Sequence, residues 1–149
     1  MIKFRDYINQ TKQVQITESV DVAYLNASGI GYIVSKTLAI AAQVHIWHLL
    51  AKSGQKHMAL GTFYAALETE VDSLAEKFLA IGGIMGDFSF NFSAAYSDTD
   101  ITIAIREFRD EISNTIFTVK ESADLQSLLD SLTDLQESID NFTYQFKLD

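Results

Sequence analysis

His45, His57, Asp72 and Glu76 follow one another at intervals of 12, 15 and 4 residues. Two imidazoles and two carboxylates form a ligand set for a borderline transition metal such as iron or zinc. The region from Ile30 to Gly83 that carries them reads as two helices. His57 and Asp72 fall on the second, roughly 22 Å apart at about 1.5 Å per residue. They cannot hold one ion within one chain. If they share an ion, two copies of the chain must meet there.

On a helical wheel at about 100° per residue, the second helix has two distinct faces. Leu60, Tyr64, Leu67, Val71, Leu74, Phe78 and Ile81 recur in a four-three pattern and form a core stripe. A separate stripe holds His57, Gly61, Ala65, Glu68, Asp72 and Glu76. The small residues Gly61 and Ala65 let another helix approach closely. Pairing this face antiparallel with its own copy, about a two-fold axis near residue 66, sets His57 beside the partner's Asp72 and Glu76. A two-fold contact is isologous, so two equivalent sites form. Glu68 shares the stripe and is a candidate additional ligand.

His45 lies near the end of the first long helix, on an apolar face with Val34, Leu38, Ala41 and Leu49. A short turn folds the chain back, so the imidazoles of His45 and His57 can approach. His48 falls about 60° from His45 on the wheel and reads as a supporting or surface residue. Trp47 reads as packing.

The first long helix is expected from Thr17 or Val20 to Lys52, with Gly29 and Gly31 as dividing points and Ser53-Gly54 as its C-terminal stop. The second runs from Gln55 to Ile81 and stops at Gly82-Gly83. Residues 84–96 alternate aromatics and read as a short strand, a packed loop or a small helix. A third helix starts near Ser97 or Asp98 as N-cap, with Ile101, Ile105, Phe108, Ile112, Ile116 and Val119 on its inner face. A fourth runs from Ala123 to Phe146, with Leu125, Leu128, Leu132, Leu135, Ile139, Phe142 and Phe146 on one face and its start marked by Glu121, Ser122 and Asp124. A short helix over Phe4 to Gln10 is a further reading, within an N-terminal extension of residues 1–16. The sum is an all-α, single-domain four-helix bundle over residues 1–149, with one longer crossover between helices 2 and 3.

Composition agrees. There is no proline in 149 residues, which favours long unbroken helices, and 48% of residues are hydrophobic, enough for a real core. The absence of cysteine excludes disulfides and thiolate metal sites. The most apolar stretch, Leu38 to Ala51, is interrupted by Gln43, His45 and His48, so no membrane span is expected. The first twelve residues lack the apolar core of a signal peptide, and a cytoplasmic location is the expectation. The net charge of −9 repels phosphate and attracts cations.

Residues 45–83 resemble the Dps family, the miniferritins or DNA-binding proteins from starved cells. The shared pattern is a histidine, a second histidine 12 residues on, Asp-x-x-x-Glu 15 residues after that, and a hydrophobic turn into Gly-Gly. Here it is carried by His45, His57, Asp72 to Glu76, and Ala80-Ile81-Gly82-Gly83. The resemblance is close over about 40 residues and loose over the last helix. It implies a ferritin-like bundle in a hollow homo-oligomer, a dodecamer. In it, Fe(II) is oxidised by hydrogen peroxide at sites between two-fold-related subunits and stored as a mineral. His45 and His57 would come from one subunit, and Asp72 and Glu76 from its partner. Glu121, Asp124 and Asp130 are candidate entrance residues for Fe(II).

Three positions depart from that pattern. An acid common four residues after the second histidine is Gly61 here, which weakens a second metal position. The tryptophan common directly after the first histidine is Ile46 here, with Trp47 one place later. The basic N-terminal arm of DNA-binding members is reduced to Lys3, Arg5 and Lys12. A dodecamer would carry about −108, twelve times the −9 of one chain, so no direct DNA binding is expected. Two other readings stay open. One is a metal-binding shell stapled by a redox-inert ion such as zinc, and the other is a metal-free helical interaction module.

Overall fold

The computed structural model describes residues 22–119 and 125–148, which form five helices and no strand among the described residues. The first two are α1, Val22–Ala27, and α2, Ile30–Leu50. They divide at Gly29, whose φ of 86° is left-handed and open to glycine at no steric cost. The expected helix over Phe4 to Gln10 lies outside the described residues.

The stop expected at Ser53-Gly54 is a start instead. α2 ends at Leu50, where Ala51 turns extended. The Ser53 hydroxyl accepts a hydrogen bond from the Lys56 N–H and caps α3, Gly54–Ala80. Gly54 is simply the first helical residue. The other end of α3 follows expectation. Gly82 takes a φ of 91°. The N–H groups of Gly82 and Gly83 bond back to the carbonyls of Leu79 and Phe78, each at 3.0 Å, satisfying carbonyls the helix leaves open. The Phe78 ring covers Gly83 so closely that a side chain there would overlap it.

α4 spans Asp98–Val119, with the Ser97 hydroxyl accepting from the Asp100 N–H at 3.2 Å. α5 spans Gln126–Phe146; the acidic start expected at residues 121–124 lies outside the described residues. The stripes predicted from periodicity are the core. Leu60, Leu67, Val71, Leu74 and Phe78 of α3 meet Leu128, Leu132, Leu135, Ile139 and Phe142 of α5, all buried. Ile101, Ile105, Phe108 and Ile112 of α4 close the interior. Tyr64 and Ile81, placed on the same stripe, are half-buried. The buried Phe63 stacks on Phe142 at 4.3 Å.

The four long helices pair α2 with α3, α3 with α5, α5 with α4, and α4 with α2. Side-chain ties give the directions. Lys77 near the end of α3 meets Ser131 near the start of α5 at 2.7 Å. Arg109 of α4 pairs with Asp140 of α5, while Ser113 accepts from Gln136, so these two run antiparallel. Lys36 early in α2 meets Glu111 late in α4 at 2.7 Å. Lys56 at the start of α3 meets Asp98 at the start of α4 at 2.6 Å. α3 and α4 therefore start at the same end, and the link between them must travel the length of the bundle.

Residues 81–97 make that journey as an irregular strap along α2; of the strand, loop and small helix the sequence allowed, the packed loop is the one found. Ile84 N–H bonds to the Asn26 side chain, Ser35 to the Gly86 carbonyl, and Gln43 to both the N–H and carbonyl of Ser93. Gly31 was a candidate break; its use is different. The strap crosses α2 there so closely that a Cβ on Gly31 would overlap the Ile84 carbonyl, and one on Gly86 would lie 2.9 Å from Tyr32 N. Tyr32 then meets Phe88 edge-on at 5.3 Å.

α2 is long and apolar enough to cross a membrane by length and hydropathy. Ile33, Val34, Ile40, Val44 and Trp47 are buried within the bundle, whereas Tyr32, Leu38, Leu49 and Leu50 are exposed. Packing against two helices and a strap accounts for the buried part of that composition.

Candidate metal centre

The turn at 51–53 reverses the chain and sets the last turns of α2 against the first turns of α3. Three histidines and a tyrosine gather there. The His48 and His57 rings stack with centroids 3.8 Å apart and 27° between planes. His45 stacks on Tyr64 at 4.2 Å and 14°. His48 joins the two pairs, 5.5 Å from Tyr64 edge-on and 6.1 Å from His45.

Hydrogen bonds fix the chemistry of two of these rings. His57 Nδ1 lies 2.9 Å from the His48 carbonyl oxygen, and His48 Nδ1 lies 2.7 Å from the His57 carbonyl oxygen. A carbonyl can only accept, so both Nδ1 atoms carry the proton. In the neutral ring that leaves Nε2 with its lone pair. A backbone carbonyl on one ring nitrogen is the usual arrangement behind a histidine that ligates metal through the other. The bond also serves the fold: the His48 carbonyl is among the last four of α2, which lack helical donors.

His45 and His57 are exposed and His48 half-buried. Across the hairpin, Gly61 lies beneath the His48 ring: a Cβ there would meet Cε1 at 2.9 Å and Nδ1 at 3.0 Å. Ala65, Glu68, Asp72 and Glu76 continue the same outer face of α3, all exposed. None of the three acids enters an ion pair among the described residues. Glu70 does not belong to this face. Its carboxyl is pushed up by burial, then by Asp134 and Glu137 of α5, with Lys77 opposing.

The structure thus brings His45 and His57 to one hairpin and leaves Asp72, Glu76 and Glu68 further along α3. Among the described residues no group of three or more histidines and acids converges on one point within the chain. Trp47 is buried, as packing requires. Asp130 is exposed and accepts from Gln126 at 2.7 Å; Glu121 and Asp124 lie outside the described residues. Sequence reading gave His48 a supporting or surface place and Tyr64 a place on the core stripe; the ring contacts that join them come from the structure. The available signal was the nine-residue interval from His48 to His57 around a short turn, with a glycine one helical turn beyond His57.

A helical bundle with a histidine-rich hairpin is the class these features define. Residues 48–145 match a family of unknown function (DUF5856), and the chain belongs to that family. The match takes in His48, His57, Gly61, Asp72 and Glu76, while His45 lies three residues before it. No curated protein and no solved structure matches the chain.

Proposed function

We propose that this protein is a ferritin-like, Dps-like bundle that binds Fe(II), oxidises it and stores the product. Its centres would be shared between two copies of the chain, His45 and His57 coming from one and Asp72 and Glu76 from the other. The observation that carries this reading is the His57 Nδ1 bond to the His48 carbonyl, which in the neutral ring leaves the Nε2 lone pair available on an exposed ring. Exposed carboxylates without cation partners share its helix face, and the small residue Ala65 lies between. The helix pairing also supports it, since a bundle with one long crossover is the ferritin-like arrangement. Nitrogen and carboxylate donors suit Fe(II) and tolerate the harder Fe(III).

Fe(II) is the substrate here, and peroxide the oxidant that the resemblance implies. The carboxylates supply the charge that draws the cation in and the imidazoles complete its coordination. Assembly into a cage would place many such centres around one interior. The net charge of −9 per chain sets that shell against nucleic acid. The test is Fe(II) oxidation by peroxide in the wild type beside Glu76→Ala and His57→Ala. Both variants should lose most of the rate; three equal rates would sink the proposal. Light scattering should give a mass near twelve times the 16.6 kDa chain.

A second reading is favoured by Gly61. With no acid there, the centre is rich in imidazole, which suits zinc. A zinc ion would then staple the two copies without turnover. Bound zinc with no peroxide-driven oxidation separates this reading from the first.

A further inference from the structure

The centre proposed above uses His57 as a ligand without saying what aims its ring. We propose that His48 is the positioning residue of that centre, holding His57 as the Nδ1–H tautomer, and that its seat exists because residue 61 is glycine. The aiming rests on geometry alone; its purpose rests on the metal-binding reading.

Two things must be fixed for an imidazole to ligate through Nε2: the tautomer and the ring plane. The His57 Nδ1–H bond to the His48 carbonyl favours the tautomer. That bond alone leaves the exposed His57 ring able to turn away, whereupon the tautomer is no longer constrained. The His48 side chain removes that freedom in two ways. Its ring lies flat against His57 at 3.8 Å. Its own Nδ1–H reaches the His57 carbonyl at 2.7 Å, tying the two residues together from the other side. His48 is itself backed edge-on by Tyr64, on which the second ligand ring, His45, stacks. One run of rings, His57, His48, Tyr64 and His45, therefore braces both imidazoles.

The seat is specific to glycine. A side chain at 61 would start 2.9 Å from His48 Cε1 and 3.0 Å from Nδ1, so the ring would have to shift from this position. An acid at this position would press on the ring that makes the His48 clasp. The protein has the clasp, so this chain invests the space beside His57 in aiming one ligand rather than adding another.

The experiment compares the full chain with His48→Ala, His48→Phe and Gly61→Ala. Long-range proton–nitrogen NMR of the histidine rings reads the His57 tautomer without metal, and Co(II) titration reads the site. In the wild type, His57 should show the Nδ1–H pattern. In His48→Ala it should move toward the Nε2–H form, and Co(II) affinity should fall about 10–100-fold, the usual effect of losing an outer-shell partner. His48→Phe keeps the flat face and should retain more affinity than alanine. Unchanged tautomer and affinity in His48→Ala would overturn the proposal, as would a phenylalanine variant no better than alanine. If His48→Ala does not fold, Gly61→Ala displaces the same ring from the opposite helix and is read by the same two criteria. A wild-type chain that takes up no Co(II) would overturn the metal centre instead, and the tautomer comparison would still decide the aiming.

Discussion

The ring of His48 occupies the space that a side chain at Gly61 would fill, with Cε1 2.9 Å from the position of the missing Cβ. This relationship decides what Gly61→Ala should do. Alanine inside a helix is favoured over glycine by about 0.5–1 kcal/mol. Displacing an exposed edge of a half-buried imidazole costs a hydrogen bond, about 0.5–1.5 kcal/mol. The two nearly cancel, so chemical denaturation should show a net change within about 1 kcal/mol. A larger loss would mean that the clasp carries more of the hairpin's stability than its bonds suggest.

Gly31→Ala should behave differently. The obstacle there is the backbone carbonyl of Ile84, not the end of a side chain. The strap is pinned on both sides of the crossing, by Asn26 to Ile84 and Ser35 to Gly86, so it cannot slide away. Overpacking of this kind costs about 1–3 kcal/mol, offset only in part by helix propensity. Urea titration should show Gly31→Ala clearly less stable than Gly61→Ala.

Acid should weaken the tie between the starts of α3 and α4. The Asp98 carboxyl is held below its ordinary value, first by the hydrogen bond from Lys56, with burial opposing and Tyr96 assisting. Its folded value lies below its unfolded one. Its contribution is therefore complete above the ordinary carboxylate range and lost as pH falls through the folded value. The Asp98 carboxylate is exposed and screened by solvent, although Lys56 is mostly covered, so the pair contributes about 0.2–1 kcal/mol. Asp98→Asn should be destabilised by that amount at neutral pH and match the wild type in strong acid, measured by urea unfolding at each pH.

Ala65 and Leu67 separate assembly from folding. Leu67 is fully buried, and Leu67→Ala should cost about 2–5 kcal/mol. Ala65 is exposed on the outer face of α3. Ala65→Arg should leave the circular dichroism spectrum and unfolding midpoint of the subunit nearly unchanged. If two copies meet on this face, it should also reduce the mass in light scattering toward 16.6 kDa. An oligomer of unaltered mass would move the contact elsewhere.

Much of the fold was legible because amphipathic spacing is a local signal. The stripes from Leu60 to Phe78, Ile101 to Val119 and Leu128 to Phe146 needed only the helical period to be found. The exposed face of α3 that carries His57, Asp72 and Glu76 was legible for the same reason. What failed depended on contacts the wheel cannot contain. Serine and glycine both mark helix ends, and only the N–H of Lys56 shows that Ser53 begins a helix. Gly31 looked like a break because the strap that crosses it comes from residues 84–86. His48 looked peripheral because a wheel shows one helix, and its neighbours His57 and Gly61 belong to the next.

The strap has one more consequence. Each helical hairpin, α2 with α3 and α4 with α5, closes through residues near in sequence, whereas Gln43 and Ser93 meet across 50 positions. Early structure should thus be two half-proteins, each with a bare apolar flank, joined by a tether still free to swing. Native assembly is complete only when that tether lies down along α2 and the glutamine amide grips it. Until then, either half could find its complement on a neighbouring chain, and the pace of that final docking sets how long newly made protein stays exposed to entanglement.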